Sequence, residues 1–76
     1  MAMTPLERKA AFKAAVTLAQ TTLDAAASDV CGVTWFHLSE GLANRRALSA
    51  EVQAKFAAYI GRSVRTVFGP SAVAAA

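Results

Sequence analysis

The sequence predicts an all-α protein, a compact bundle of about five short helices. Nineteen of the 76 residues are alanine, the strongest helix former, whereas only four are glycine and two are proline. Several apolar patterns with a spacing of three or four residues follow a Ser or Thr and precede a Gly or Asn, which is typical of helix starts and ends. A chain of this length forms one domain with a small core.

Composition excludes several classes of protein. A single cysteine cannot form an intramolecular disulfide and cannot by itself make a zinc site, which is consistent with a cytoplasmic protein. The apolar runs are shorter than the ~20 residues that span a bilayer, and no secretory signal is evident. Carboxylates are few and scattered, and neither a phosphate-binding loop nor a nucleophile signature is present. We therefore expect a cytoplasmic protein with no membrane partner, no metal, no other cofactor and no enzymatic activity.

The net charge of +3 is unevenly distributed. Residues 1–20 contain three cations and one anion, residues 21–44 contain three anions and no cation, and residues 45–76 contain five cations and one anion. Basic segments on either side of an acidic one suit contacts with phosphates at the edges of a DNA footprint.

The first helix is predicted to begin near Pro5, because Thr4-Pro5-Leu6-Glu7 has the pattern of a capping box with proline in the first turn. It should end around residues 20–22, where two threonines favour a cap over a helix interior. Since no glycine ends it, a continuous helix over 5–31 is an alternative. One face of this helix is expected to contain Leu6, Phe12, Val16 and Ala19.

The central segment predicts two helices joined by a short turn. A helix over 24–31 should end at Gly32, which can adopt a positive φ. Thr34 should cap a third helix over 35–43, and Asn44 is suited to leave it through the left-handed region. This is a helix-turn-helix, in which the second helix can enter a DNA major groove.

The sequence after Asn44 predicts two more helices. Ser49 should cap a helix over 50–60 that ends at Gly61, and a short fifth helix is expected at 64–68. The resulting plan is an N-terminal extension at 1–4, a helix-turn-helix domain at 5–69 and a flexible C-terminal tail at 70–76.

The order of these predicted helices and turns resembles that of the lambda-repressor-like helix-turn-helix family. Members of this family, also called Cro or XRE domains, are bundles of about five short helices. The resemblance covers about residues 5–69. It rests on Gly32-Val33-Thr34, on Leu38-Ser39-Glu40 with Leu42, on Asn44-Arg45-Arg46, and on the segments 48–51, 58–64 and 67–69. It implies a sequence-specific DNA-binding transcriptional regulator, a repressor of bacterial or phage type, that binds double-stranded DNA as a homodimer, either weakly associated or dependent on DNA.

The resemblance also implies roles for individual residues. The positions expected to contact bases are Trp35, Phe36, His37, Ser39 and Glu40. Those expected to contact phosphates are Thr34, Asn44, Arg45 and Arg46. The dimer interface is expected to include Val64, Val67 and Phe68. The chain departs from the family at Trp35 and Phe36, where polar residues are common.

Three of these interpretations have an alternative. Trp35 is on the same helical face as Leu38 and Leu42, so a contact with the core is as well supported as one with DNA. Glu40 can pair with Arg45 instead of contacting a base. An exposed surface formed by Trp35 and Phe36 also fits a protein-interaction module, an adaptor or an antitoxin-like partner with the same fold.

Overall fold

The computed structural model describes residues 2–69, and every regular element in that range is helical. The elements are α1 (Pro5–Leu18), α2 (Leu23–Ala26) with a continuing π-helical turn (Ala27–Cys31), α3 (Trp35–Leu42), α4 (Ala50–Tyr59) and α5 (Val64–Phe68). The predicted all-α bundle of about five short helices is confirmed, and α1 and α2 are separate. The tail expected at 70–76 lies outside the described residues.

Each of the five α-helices begins at a hydroxyl residue that caps it. The hydroxyl oxygen accepts a hydrogen bond from the backbone N–H three residues further on, which satisfies one of the donors left free at a helix start. The capping residues are Thr4, Thr22, Thr34, Ser49 and Ser63. At α1 the capping box is complete, because Thr4 N–H donates to Glu7 Oε1 at 2.8 Å. These hydrogen bonds from Thr4 lower the pKa of Glu7.

Three of the α-helices, α1, α3 and α4, are followed by a residue in the left-handed conformation. Gln20 follows α1 with φ 56°, Asn44 follows α3 with φ 65°, and Gly61 follows α4 with φ 75°. The two hydrogen bonds of a Schellman motif are present in each case; after α3 they run from Asn44 N–H to Gly41 O and from Arg45 N–H to Glu40 O. Asn44 and Gly61 were predicted as helix ends, and Gln20 lies in the range 20–22 where α1 was expected to end.

The core is organised around the ring of Phe12 in α1. This side chain is fully buried, and its ring centroid lies 5.4–5.5 Å from those of Trp35, Phe56 and Tyr59. The aromatic cluster therefore joins α1, α3 and α4. The other buried apolar residues are Val16, Ala26, Ala27, Cys31, Leu38, Leu42, Leu48, Ala57 and Val67.

The buried face of α1 differs from the predicted one. Leu6 is 77% exposed, because six residues separate it from Phe12 and place it about 240° away around the helix. Ala19 follows the last residue of α1 and is exposed. Arg8, one turn before Phe12, is buried instead.

Arg8 connects three elements through its guanidinium group. Nε donates to Val67 O of α5 at 3.0 Å, and Nη1 donates to Leu42 O at the end of α3 and to Asn44 Oδ1, at 2.9 and 3.0 Å. The group also lies 5.0 Å from the centroid of the Phe68 ring. Burial lowers the pKa of Arg8. A cation at two helix carboxyl ends is favourable, and here it fixes the position of the loop after α3.

Candidate nucleic-acid interface

A three-residue turn presents α3 to the surface. After the π-helical turn, Gly32 adopts a left-handed conformation with φ 72° and ψ 21°, and its N–H donates to Ser28 O at 3.1 Å. Val33 follows, and its N–H donates to Ala27 O at 3.3 Å. Thr34 is extended and caps α3. Gly32 was predicted as the turn residue because a left-handed backbone favours glycine.

The inner face of α3 packs on the core. Leu38 and Leu42 have no exposed surface, and the half-buried ring of Trp35 is stacked on Phe12 with an interplanar angle of 6°. Of the two interpretations of Trp35, the structure therefore supports the core contact. The face of the Trp35 ring that lies on Phe12 is therefore unavailable to DNA.

The outer face of α3 and the following loop form one surface, on which Phe36, Arg45 and Arg46 are exposed and His37 and Glu40 are half-buried. Phe36 is 68% exposed and has the most accessible aromatic ring of the described residues. Ser39 is partly buried, and its Oγ donates to Phe36 O at 3.2 Å. The name α3–loop surface is used below for Phe36, His37, Glu40, Arg45 and Arg46.

Two contacts bind the loop arginines to polar side chains of α3. Arg45 Nε donates to Glu40 Oε2 at 2.7 Å, and Arg46 Nη1 contacts His37 Nδ1 at 3.1 Å. Because a guanidinium can only donate, His37 Nδ1 accepts, and the proton of the neutral ring is on Nε2. The Glu40–Arg45 pair matches the alternative considered for Glu40, and the Arg45 side chain remains 60% exposed.

Two of the residues expected to contact phosphates have internal partners. Thr34 Oγ1 accepts from His37 N–H at 3.1 Å, and Asn44 Oδ1 accepts from Arg8. Both residues are exposed, but these oxygens stabilise the two ends of α3. Arg45 and Arg46 are the loop side chains that project charge to the surface.

The expected dimer interface is wrong for one of its three residues. Val67 has no exposed surface, because it faces the core, and it cannot contact a second copy while the domain remains folded. Val64 and Phe68 are half-buried, and the Phe68 ring packs edge-on against Phe56 with centroids 5.9 Å apart. The exposed residues of α5 are Arg65 and Thr66.

An open cavity of about 380 Å³ lies beside the loop after α3. Its lining includes Arg8, Asn44, Arg45, Arg46 and Gln53. Sequence analysis did not identify Arg8 and Gln53 as site residues. A signal existed for Arg8, since it precedes Phe12 by one turn and so shares the face that is buried.

Comparisons with protein-family models, with curated proteins and with solved structures find no match for this chain. Within residues 2–69, no helix is both long and apolar enough to cross a membrane. In the same range, no three of the His, Cys, Asp and Glu side chains come together as ligands for a metal ion. The function is therefore inferred from the arrangement of the residues themselves.

Proposed function

We propose that this protein is a sequence-specific DNA-binding transcriptional regulator, a repressor of bacterial or phage type, of the lambda-repressor-like kind. The observation that carries the proposal is the α3–loop surface. A short turn presents the outer face of α3, on which Phe36 is exposed and His37 and Glu40 are partly exposed, and two arginines lie beside that face. A helix presented in this way fits the major groove, and flanking cations are suited to the phosphates on either side of it.

The side chains of α3 offer three kinds of base contact. Glu40 can accept a hydrogen bond from the amino group of cytosine, and the Nε2–H of neutral His37 can donate to guanine N7 or O6. The exposed ring of Phe36 can pack on a thymine methyl group. These groups differ in the base they favour, so together they can distinguish sequences.

Arg45 and Arg46 are proposed to contact phosphates. Arg45 uses Nε for Glu40, and its two terminal nitrogens form no hydrogen bond to any residue in the range 2–69. The guanidinium can thus orient Glu40 and donate to a phosphate oxygen at the same time. The same arrangement explains how an acidic side chain can be tolerated on a helix that approaches DNA.

The experiment is a selection of preferred sites from a random duplex pool, followed by fluorescence anisotropy at salt concentrations from about 50 to 200 mM. We expect Arg45→Ala and Arg46→Ala each to weaken binding to all sequences and to reduce the salt slope by about one. Lys55→Ala is the matched control, because Lys55 is also an exposed cation paired with a carboxylate, Glu51, at 3.1 Å. If the wild-type protein enriches no sequence over random DNA, the proposal fails.

Glu40→Gln tests the proposed base contact of Glu40, and a control variant with the same change of charge separates this contact from the electrostatic effect. The substitution keeps the size of the side chain but changes an acceptor into a group that also donates, so the preferred base at one position should change, with about 1–3 kcal/mol of altered discrimination. Asp29→Asn, at an exposed position before the turn, is the control with the same charge change. An unchanged site preference for Glu40→Gln would remove Glu40 from the base-contacting residues.

The homodimer is part of the proposal, and Val67 cannot belong to its interface because this residue is buried. We expect sedimentation of the free protein to show mainly monomer and a DNA duplex with two half-sites to bind two copies cooperatively. Independent binding of the two copies would argue against a DNA-dependent dimer.

The exposure of Phe36 favours a second candidate, a protein-interaction module with the same fold. An apolar contact with a protein partner should depend weakly on salt, whereas binding through several phosphates weakens steeply as salt is raised. Affinity that is lost in Phe36→Ala, unchanged in Arg46→Ala and insensitive to salt would support this alternative over DNA binding.

A further inference from the structure

His37 and Arg46 form a contact that admits only one protonation state of the histidine ring. Arg46 Nη1 lies 3.1 Å from His37 Nδ1, and a guanidinium has hydrogens to donate but no acceptor. The contact therefore requires that Nδ1 carry no hydrogen. This requirement excludes the neutral ring with its proton on Nδ1 and the doubly protonated imidazolium, and it selects the neutral ring with its proton on Nε2.

The backbone that carries this pair is held by other hydrogen bonds. His37 N–H donates to Thr34 Oγ1 at 3.1 Å in the cap of α3. The loop after α3 is anchored at Asn44, whose N–H donates to Gly41 O and whose Oδ1 accepts from Arg8 at 3.0 Å. Arg46 follows this anchor by two residues. The contact between the two side chains therefore requires little further ordering of the backbone.

The second ring nitrogen of His37, Nε2, forms no hydrogen bond to any residue in the range 2–69. The ring is half-buried on the outer face of α3, the face proposed to enter the major groove. With its hydrogen on Nε2, the ring donates there, which matches the acceptors N7 and O6 of guanine. With the hydrogen on Nδ1, Nε2 would instead accept from the amino groups of adenine or cytosine. The tautomer therefore decides which bases His37 favours.

We propose that Arg46 is a positioning residue that sets the base preference of His37, because it holds the ring in the tautomer that donates from Nε2. This inference rests on the proposed DNA binding and gives Arg46 a part in sequence discrimination besides its contact with a phosphate. The two roles are compatible, since Nε and Nη2 of Arg46 form no hydrogen bond to residues 2–69 and remain for a phosphate oxygen. Arg45 contacts a different side chain of α3, Glu40, at 2.7 Å, so it provides a matched control from the same loop.

The first test follows the tautomer in the full chain without DNA. His37 is the only histidine, so its ring nitrogens give unambiguous signals in NMR spectra of protein with isotopically labelled histidine. At about pH 8, where an imidazole is neutral, we expect the wild-type ring to carry its proton on Nε2. The fraction with the proton on Nδ1 should rise in Arg46→Ala, whereas Arg45→Ala removes the same charge and should leave the tautomer unchanged. A wild-type ring that exchanges between both tautomers, or an unchanged tautomer in Arg46→Ala, would overturn the proposal.

The second test measures the base preference in sites selected from a random duplex pool. The position read by His37 is the one that loses its preference in His37→Ala. At this position, the preference for guanine over adenine or cytosine should fall about fivefold in Arg46→Ala, as for the loss of one hydrogen bond. Arg45→Ala should leave this position unchanged and alter the one that responds to Glu40→Gln. A phosphate contact alone affects all sequences equally, so it would not change the preference at a single position.

A double variant distinguishes an action through His37 from a direct base contact of Arg46. In the His37→Ala background, Arg46→Ala should weaken binding without changing the preference at any position. Arg46→Lys keeps the charge and can still donate to Nδ1, so it should retain more of the guanine preference than Arg46→Ala does. Arg46 is exposed, and these substitutions leave the core intact. A preference that changes equally with and without His37 would overturn the positioning role.

Failure of this inference is distinguishable from failure of the proposed function. If the wild-type protein enriches no DNA sequence, the regulator function and the role of Arg46 in discrimination are both overturned. If the protein enriches a sequence and Arg46→Ala weakens binding to every sequence by the same factor, the regulator function stands. In that case Arg46 contacts phosphate alone, and only this inference is overturned.

Discussion

The guanidinium of Arg8 holds the ends of α3 and α5 against α1, so its removal should destabilise the whole domain. Arg8→Met leaves Leu42 O, Val67 O and Asn44 Oδ1 without this donor. We expect the free energy of unfolding to fall by about 2–4 kcal/mol, as for other buried groups that lose a charged partner. Urea unfolding followed by circular dichroism measures the change.

Lys13→Met is the matched control for Arg8→Met. It makes the same kind of change on α1 at an exposed position, and it should alter stability by less than about 0.5 kcal/mol. The stability of Arg8→Lys should lie between the stabilities of Arg8→Met and Lys13→Met. Lysine keeps the charge but lacks the planar group that donates several hydrogen bonds at once. If Arg8→Met were as stable as Lys13→Met, the three hydrogen bonds of Arg8 would make no net contribution to the free energy of unfolding.

The buried thiol of Cys31 should make stability depend on alkaline pH. Desolvation raises the pKa of Cys31 in the folded protein. As pH rises through the ordinary thiol pKa of about 8.5, the unfolded chain releases a proton that the folded chain retains. The free energy of unfolding should therefore decrease with pH, by up to about 1.4 kcal/mol per pH unit.

Comparison with Cys31→Ala isolates this effect from that of lysines and tyrosine. At about pH 7 the wild-type protein should be the more stable of the two, because the substitution leaves space in the core. The difference should shrink as the pH is raised toward about 10, since only the wild type loses stability through the thiol. A difference independent of pH would show that the Cys31 pKa is the same in both states.

The loop after α3 can pack closely on this helix because Gly41 has no side chain. A Cβ at this position would overlap the buried side chain of Leu48. Although alanine favours the helix, Gly41→Ala should destabilise the domain by about 1–3 kcal/mol through overpacking. Unfolding in urea provides the measurement.

The partner of Gly41 can be tested in a double-mutant cycle. Leu48→Ala alone leaves a cavity, whereas Gly41→Ala/Leu48→Ala removes the overlap, so the double variant should be more stable than the sum of the single effects predicts. Gly61→Ala serves as a contrasting control. Nothing lies within 4 Å of a Cβ at Gly61, so its cost comes from the positive φ of 75° and not from Leu48. Additive effects of Gly41→Ala and Leu48→Ala would show that the loop relaxes freely.

Helix starts were predictable from the sequence because the information for each is local. A hydroxyl and the N–H three residues later form the cap, so Thr4, Thr34 and Ser49 could be identified without the tertiary structure. The end of α1 was harder to locate, since Gln20 adopts a left-handed conformation that its residue type does not favour.

The candidate site was predictable only where its contacts are close in the chain. Arg45 and Arg46 were expected in the loop after the third helix, and Glu40 was recognised as a potential partner of Arg45. Arg8 was missed: its spacing from Phe12 indicates the buried face of α1, but its hydrogen-bond partner Val67 is 59 residues away and could not be inferred locally. The cavity that Arg8 lines with Gln53 could not be found without the packing of α1 against the loop.

At the scale of the whole molecule, a local ion pair joins the acidic middle of the sequence to the basic segment that follows it. Glu40 is one of the three anions of residues 21–44, and it pairs with Arg45 from the basic segment that follows. The acidic charge of α3 is thereby partly offset within the domain itself. The single carboxylate of α3 therefore has a cationic partner beside it, which would reduce its repulsion from phosphates in the proposed complex with DNA.

Trp35 offers a direct test of whether the domain unfolds as one unit. It is the only tryptophan of the chain, and its ring is stacked on Phe12, with centroids 5.5 Å apart. Because the same Phe12 ring contacts Phe56 and Tyr59 of α4, loss of the core should change the fluorescence of Trp35 at the same point as the helices are lost. We expect fluorescence and circular dichroism at about 222 nm to give the same midpoint in urea, as in two-state domains of this size.

The matched variant for this experiment is Trp35→Phe, which keeps an aromatic ring against Phe12 but removes the indole signal. It should unfold cooperatively with the same urea dependence, because the set of helices that pack on Phe12 is unchanged. A fluorescence midpoint at lower urea than the dichroism midpoint in the wild type would mean that α3 leaves the core before the other helices unfold. In that case the helix proposed to enter DNA would be a separate unit of stability, and its outer face could rearrange on binding without disrupting the remaining core.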